Sequence, residues 1–222
     1  MKRVALIINF LNPEKKYMYK CINSLLNQSY KNFYIFFIDN NSKKIYKKNI
    51  LLLLKKKRFK NFYYYRFTKT FSLPRARNLA INFVLGKNEF DYINFCDSDD
   101  WWSRNWLKFL LKKTYNSDLI FSDGFEIRKD EKKGVWCSLN EHELIKRCSV
   151  YIQSMLLSTD FLRKIKKKNK KIFNELFDIS YDYDFLLKHR NSIKYLHIRK
   201  KLFNYNKLSS SISSKNLIKI IL

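Results

Sequence analysis

A short acidic cluster, CDSDDWW at residues 96–102, stands out in a chain that is otherwise strongly basic. Asp97 and Asp99 are two residues apart, so their side chains point the same way in an extended segment, and a turn just afterwards brings Asp100 to them. Such carboxylates bind Mg2+ or Mn2+ together with phosphate oxygens and water. The structural alternative is that Ser98, Asp99 or Asp100 caps the helix that follows.

The composition limits the classes of function. The chain has 46 Lys and Arg against 19 Asp and Glu, a formal net charge of +27, and 46% hydrophobic residues, which is typical of a globular protein. This charge suits nucleic acid, an anionic membrane surface or phosphorylated small molecules, or reflects compositional drift alone. The 3 glycines are isolated, which excludes a glycine-rich phosphate loop. A phosphate would therefore be held by a metal ion or by arginines.

The cysteines and the apolar runs indicate a compartment. The 4 cysteines lie far apart, which predicts buried thiols in a reducing environment and not a disulfide framework or a zinc site. The sequence shows neither a signal peptide nor a run of about 18–20 apolar residues. We therefore predict a cytoplasmic protein, with the inner face of the cell membrane as a peripheral, anionic contact surface.

Alternating elements must position the acidic cluster. Apolar runs at 3–10, 32–39, 61–67 and 91–96 predict four strands, with helices between them, the last of which starts near Pro74 and stops at Gly86. This order predicts a parallel sheet covered by helices on both faces. Ligands bind outside the carboxyl ends of such strands, and the acidic cluster directly follows the fourth strand.

The second half of the chain has a less regular pattern. It predicts a helix over 103–116, a strand over 118–128, a short strand over 134–139 and a strand over 192–206. Three further helices are predicted, one over 141–148, one capped by Ser158 or Thr159 and one by Ser180. No repeat and no linker divides the sequence, which favours a single domain over residues 1–222.

Several segments, in order, resemble family 2 glycosyltransferases, which are inverting enzymes of the GT-A fold that use nucleotide-sugar donors. LIINFLN resembles the Pro-Thr-Tyr-Asn turn after the family's first strand, with Asn12 matching its Asn but without its Pro. IDNNS resembles the Val-Asp-Asp-Gly-Ser turn after the second strand, where Asp39 takes the first acid and Asn40 replaces the second. The resemblance implies that Asn12, Asp39 and Asn40 bind the nucleotide, the last two at its base.

Two more motifs surround the fourth strand. The ARN segment at 76–78 matches the family's Ala-Arg-Asn, which implies that Arg77 lies near the nucleotide. The DSDD segment at 97–100 matches its Asp-x-Asp-Asp metal motif in full. The resemblance thus implies Asp97 and Ser98 as donor contacts, and a Mn2+ or Mg2+ ion bound by Asp97, Asp99 and Asp100.

The last motifs lie in the second half. FNELFDISYDYDFLLK at 173–188 resembles the segment that carries the family's catalytic base, with Tyr181 in place of its Glu and Asp182 on the base. Inversion requires such a carboxylate to deprotonate the acceptor hydroxyl, although helix starts also favour acids through the macrodipole. YNKLSSSIS resembles the family's closing loop at Tyr205, Ser211 and Ser213, with other residues in place of its Arg and His.

The resemblance extends from Val4 to Ser213. It implies one GT-A domain of α/β class, with a mostly parallel, Rossmann-like sheet between helices. Residues 1–100 would bind the nucleotide sugar and residues 101–222 the acceptor. The implied reaction is an inverting transfer from a UDP-sugar to a hydroxyl of a surface glycan or glycolipid, such as lipopolysaccharide, capsule or a lipid-linked chain.

Three alternatives to this enzyme remain open. A basic nucleic-acid-binding protein would explain the charge, but the basic residues are spread along the chain, so we expect no specific nucleic acid partner. A nucleotidyltransferase would need a glycine-rich activating loop near the first strand, and the sequence has none. A degenerate GT-A protein that binds nucleotide sugars without catalysis is suggested by Asn40, Tyr181 and Leu208, where family residues are replaced.

Overall fold

Residues 1–100 alternate between strands and helices, as the sequence predicts. The computed structural model describes residues 1–112, 114, 116–129, 131–146 and 148–208. The elements of this half are β1 Val4–Phe10, α1 Lys15–Leu26, β2 Phe33–Asp39, α2 Lys44–Lys56, β3 Phe62–Arg66, α3 Leu73–Lys87 and β4 Tyr92–Asp97.

Local sequence explains most of these elements. All seven residues of β1 are buried, as expected for a central parallel strand that is covered on both faces. Helix α3 has Pro74 in its first turn, where a missing N–H costs nothing. The helix continues past Gly86, and Asn88 ends it in a left-handed conformation with φ of 53°. The helix thus ends within one residue of the predicted stop, but Asn88 and not Gly86 ends it, since an asparagine also tolerates this conformation.

The second half contributes shorter elements. They are β5 Trp101–Trp102, α4 Trp106–Leu111, β6 Leu119–Arg128, β7 Glu131–Val135, α5 Glu141–Lys146, a 3-10 turn Ile152–Ser154, β8 Met155–Ser158, α6 Thr159–Asn169, α7 Tyr181–His189 and β9 Tyr195–Asn206. The Ser158 hydroxyl accepts a hydrogen bond from the Phe161 N–H at 3.3 Å and so caps α6. Ser180 precedes α7 with φ of 61°, and its side chain makes no capping bond, contrary to the prediction.

Two elements of this half differ in their bounds from the sequence prediction. The helix predicted over 103–116 is only Trp106–Leu111. It starts late because the Ser103 N–H donates to the Leu202 carbonyl at 2.9 Å, directly after the pairing of β5 with β9. The short strand predicted over 134–139 lies earlier, at Glu131–Val135, where it forms a hairpin with β6. The pairing of β5 with β9 has no local signal in the sequence.

The strands of the described residues form one sheet in the order β3-β2-β1-β4-β8-β6-β9-β5, and β7 pairs with β6 outside this path. The neighbours β3, β2, β1 and β4 are parallel. Strand β8 is antiparallel to both β4 and β6, and β6 is parallel to β9. The predicted α/β class with a Rossmann-like parallel sheet is confirmed, and the added strands extend that sheet toward the second half.

The structure shows the exposure of the cysteines and the character of the helices, about which the sequence made predictions. Cys21, Cys96 and Cys137 are buried thiols, as predicted, whereas Cys148 is exposed, so the prediction is wrong for that residue. Across the part of the chain that the structure describes, no helix combines the length and apolar character needed to cross a membrane.

Candidate active site

The carboxyl ends of β1, β2 and β4 form the edge at which the predicted site residues gather. Phe10 of β1 lies opposite Asp39 of β2, and Asn9 lies opposite Asp97 of β4. Asp39 and Asp97 therefore lie on either side of β1, at the edge where open parallel sheets bind their ligands.

Arg77 forms the centre of a buried polar cluster at this edge. Its residue is 1% exposed, and its guanidinium donates hydrogen bonds to the Asp97 carboxylate and to the Tyr181 hydroxyl oxygen. The bond to Tyr181 joins residues 104 positions apart in the sequence. Burial raises the pKa of Tyr181 far above its usual range, so the phenol is neutral. Arg77 thus connects the acidic cluster after β4 with the residue that precedes the predicted base.

Asn78 of helix α3 forms hydrogen bonds with the segment that precedes α7, the helix of the predicted base Asp182. Its Oδ1 accepts hydrogen bonds from the N–H groups of Ile172 at 3.2 Å and Phe173 at 2.9 Å. Its Nδ2 donates to the Phe173 carbonyl at 2.9 Å and to Glu175 Oε1 at 3.1 Å. One buried amide therefore makes four bonds and fixes the approach to α7.

Asp182, the predicted base, lies in the first turn of α7 and is partly buried. Burial raises its pKa, and the positive charge of Arg77 opposes that shift. Asp97 is a further, smaller influence in the raising direction. The predicted residues Arg77, Asp97 and Asp182 are thus brought together, although they come from three separate elements.

The other acids of the cluster differ in environment. Burial, followed by the negative charge of Asp97, raises the pKa of Asp99 to about 7. Asp100 is fully buried, and its Oδ1 accepts a hydrogen bond from the Asn206 N–H at 2.7 Å. Burial and then the charges of Asp99 and Asp97 raise its pKa well above the usual carboxyl range. Crowded carboxylates of this kind favour either protonation or a cation.

A metal would have to complete its coordination with groups from outside the protein. Within the described ranges, no three His, Cys, Asp or Glu side chains are arranged to hold a metal ion. Asp97 keeps one oxygen that is not bonded to Arg77, and its side chain is 31% exposed. Asp97 and Asp99 therefore fit a Mg2+ or Mn2+ ion of the type that uses one or two carboxylates, phosphate oxygens and water. The assignment of Asp97, Asp99 and Asp100 as metal ligands stays a prediction.

The side chains predicted to bind the nucleotide base form hydrogen bonds with other residues of the protein. Asp39 is fully buried and accepts hydrogen bonds from Ser42 N–H at 2.6 Å, Tyr64 hydroxyl at 2.7 Å and Arg66 at 3.0 Å. The Asn40 amide closes a loop by bonding both the carbonyl and the N–H of Phe71 at 2.9 Å. Their side chains hold the loops at this edge, and their contact with a base stays a prediction.

Asn12 belongs to the same group of loops. Its N–H donates to the Ser42 hydroxyl at 3.0 Å, and its Oδ1 accepts from the Lys43 N–H at 2.9 Å, just before α2. Ser98 is partly buried beside Asp97. Of the closing-loop match, only Tyr205 falls within the described residues, whereas Ser211 and Ser213 lie outside them.

Two features of the second half were not found by sequence reasoning. The hydrogen bond of the Tyr181 hydroxyl with Arg77 has no motif in the sequence, where Tyr181 only replaces a family residue, although its position next to Asp182 is a signal for a role at the site. Asp123 of β6 is fully buried and bonds His197 Nε2 at 2.8 Å and the Cys137 N–H at 2.8 Å. That pair depends on the alignment of β6 with β9, for which the sequence gives no local signal.

Comparison with known proteins agrees with this geometry. The sheet order and the acidic turn after β4 define an α/β protein of GT-A type. The sequence model of glycosyl transferase family 2 matches residues 5–186, so the chain belongs to that family. No curated protein sequence matches the chain.

Solved structures with the same fold include those of S. aureus TarS. The structure of TarS 1–349 in complex with UDP-GlcNAc has a TM-score of 0.71 at 19% identity and covers 99% of this chain and 65% of that one. TarS 1–349 in complex with UDP has a TM-score of 0.70 at 19% identity, with coverage of 93% and 61%. A longer TarS structure has a TM-score of 0.70 at 19% identity, with coverage of 98% and 39%. The chain thus spans less than two thirds of these proteins.

Proposed function

We propose that the protein is an inverting glycosyltransferase that moves a sugar from a UDP-sugar to an acceptor hydroxyl. The observation that carries this proposal is the convergence of Arg77, Asp97 and Asp182 at the strand-end edge of a family 2 fold. The similar TarS structures in complex with UDP and UDP-GlcNAc support the choice of donor. Residues 1–100 would then bind the donor, and the acceptor would lie against the second half.

Asp182 acts as the general base in this proposal. Its burial favours the protonated form, so the ionised carboxylate is a stronger base than an exposed one. The positive charge of Arg77 limits the rise in the pKa of Asp182, so the carboxylate is ionised at a lower pH than burial alone would allow. The acceptor hydroxyl loses its proton to Asp182 as its oxygen attacks the anomeric carbon on the face opposite the leaving diphosphate.

A divalent cation would be held by Asp97 and Asp99. When bound, Mn2+ or Mg2+ supplies charge that stabilises the leaving diphosphate. Arg77 would keep the Asp97 carboxylate in place for this role, because its guanidinium is bonded to that carboxylate. The guanidinium itself is buried and does not reach the solvent.

The acceptor would be a surface glycan or glycolipid, such as lipopolysaccharide, capsule or a lipid-linked chain. The formal charge of +27 supports an acceptor that carries phosphate or sits on an anionic membrane surface, which the protein would contact peripherally. Specific nucleic acid binding is the weaker alternative, because the acidic edge would repel a phosphate backbone.

A thermal-shift titration tests the donor and the metal together. UDP and UDP-sugars at about 100 times their dissociation constants should raise the midpoint by about 5–10 °C, and Mn2+ should enlarge the shift. Asp99→Asn should abolish the Mn2+-dependent part. An absence of stabilisation by any uridine nucleotide, with or without Mn2+, would contradict the proposal.

A transfer assay separates an enzyme from a protein that only binds. UDP release from UDP-sugars in the presence of extracted glycolipids should be lost in Asp182→Asn, while UDP binding remains. Asp184→Asn is the matched control, because Asp184 lies on the same helix and pairs with Lys188 at 2.7 Å. Donor binding without release by the unaltered protein would favour the degenerate, non-catalytic alternative.

A further inference from the structure

The side-chain amide of Asn9, near the carboxyl end of β1, is buried without a partner. The residue is 8% exposed. In the part of the chain that the structure describes, neither its Oδ1 nor its Nδ2 has a hydrogen-bond partner. Burying an unpaired amide destabilises a fold, and such groups are rare in native proteins. A ligand that pairs with this amide would account for it.

Asn9 lies beside the acidic cluster. The parallel register sets Asn9 directly opposite Asp97 of β4, and opposed residues of neighbouring strands project to the same face of the sheet. On that face Asp97 is bonded to Arg77. Arg77 also has a buried Nε with no partner among the described residues. Two polar groups without partners therefore lie around the carboxylate to which we assign the metal and diphosphate.

The chemistry of an amide selects among the parts of a nucleotide sugar. Asn9 offers one acceptor oxygen and two N–H donors. A hydroxyl group both donates and accepts, so it can satisfy both ends of the amide, whereas diphosphate oxygens only accept. The complementary groups on the donor are thus the hydroxyls of the ribose or of the transferred sugar.

We propose that the Asn9 amide binds a hydroxyl of the nucleotide-sugar donor, and this inference rests on the proposed function. In the Pro-Thr-Tyr-Asn turn that this segment resembles, the position of Asn9 is a proline, which has no side-chain hydrogen bond to give. The contact would therefore be a specificity feature of this chain.

The test uses two variants of Asn9 and one matched control. Asn9→Leu keeps the branched shape with a larger volume and without polar atoms, and Asn9→Ala removes any steric objection to leucine. The control is Asn94→Leu on β4, because the fully buried Asn94 amide donates to the carbonyls of Gln153 at 3.1 Å and Met155 at 2.6 Å. Binding of UDP and of UDP-GlcNAc is measured by calorimetry, and the unfolding midpoint is measured without nucleotide.

The Asn9 variants and the Asn94→Leu control should change different properties: the Asn9 variants the affinity, and the control the unfolding midpoint. Both Asn9 variants should weaken UDP-GlcNAc binding by about threefold to tenfold. The unfolding midpoint of Asn9→Leu without nucleotide should stay the same or rise. Asn94→Leu should lower the midpoint by about 4 °C or more and change the affinity less than about twofold. A loss shared by UDP assigns the ribose, and a loss confined to UDP-GlcNAc assigns the sugar.

Three results would overturn the inference. Unchanged affinity of both Asn9 variants, where the unaltered protein binds UDP-GlcNAc, would remove the role of Asn9 and leave the proposed function intact. A lower midpoint of Asn9→Leu without nucleotide would show that the amide has a structural partner. If the unaltered protein binds neither UDP nor UDP-GlcNAc, with or without Mn2+, the proposed function fails and this inference fails with it.

Discussion

The bond between Arg77 and Tyr181 gives a quantitative prediction for the substitution Tyr181→Phe. The change removes one hydroxyl from a buried residue and leaves an N–H of the buried Arg77 guanidinium without an acceptor. Hydrogen bonds to charged groups contribute about 1.5–3 kcal/mol, because the alternative is an unpaired, desolvated charge. For a chain of this size we expect the unfolding midpoint to fall by about 3–12 °C.

Tyr183→Phe on the same helix is the matched control. The Tyr183 hydroxyl donates to the backbone carbonyl of Leu144 at 2.6 Å and lies 3.1 Å from that of Ile145, so only neutral groups are involved. Its loss should cost about 0.5–1.5 kcal/mol. Urea unfolding of both variants gives the comparison directly. A loss in Tyr181→Phe no larger than that in Tyr183→Phe would refute the view that the buried guanidinium depends on the phenol.

Three further predictions concern groups elsewhere in the fold. Asp182→Asn should stabilise the protein at neutral pH. The pKa of Asp182 is raised in the folded state, so the native state favours the protonated acid. The aspartate therefore stabilises the fold below its unfolded-state pKa and loses that contribution as the pH rises through its folded-state pKa. Unfolding curves at acidic pH should therefore show no advantage for the asparagine, and an equal advantage at all pH values would contradict the assigned cause. Asp39→Ala should cost about 3–5 kcal/mol in urea unfolding, because it leaves a guanidinium, a phenol and an N–H without their shared buried acceptor; a loss below about 1 kcal/mol would mean that these groups find other partners. Gly124→Ala should destabilise by about 1–3 kcal/mol, since its Cβ would lie 2.4 Å from a ring atom of Phe203, whereas Gly86→Ala, with open space around it in α3, should stabilise by about 0.5–1 kcal/mol. Equal effects in thermal unfolding would count against this reading of the two glycines.

The first half of the fold could be predicted because its signals are local. Each parallel strand is a continuous apolar run, and each run is followed by a helical pattern, so chain order alone indicated the sheet. The second half could not be predicted equally well, because β5 and β9 are defined by pairing across long separations. The two-residue strand Trp101–Trp102 forms through its pairing with β9, which the local pattern does not show.

In the candidate site, too, the positions of residues could be predicted from local patterns, whereas their hydrogen-bond partners could not. The sequence placed Asp97 at a strand end and Asp182 at a helix start, and both positions are confirmed. It did not indicate that Asp39 and Asn40 would be used in holding loops, since that depends on Tyr64 and Phe71 of other elements. The side chain of a turn acid is visible in a sequence, but its hydrogen-bond partners are not.

The separation of 104 residues between Arg77 and Tyr181 also bears on how the protein is made. Chains grow at roughly 5–20 residues per second, so α3 leaves the ribosome on the order of 10 s before the tyrosine that its arginine requires. Throughout that interval the first four strands can pair, but the guanidinium that they would bury has Asp97 as its side-chain hydrogen-bond acceptor and still lacks the Tyr181 hydroxyl. The nascent first half is therefore complete in topology and incomplete in charge pairing, and arrival of α7 closes the edge of the sheet only when most of the chain has been synthesised.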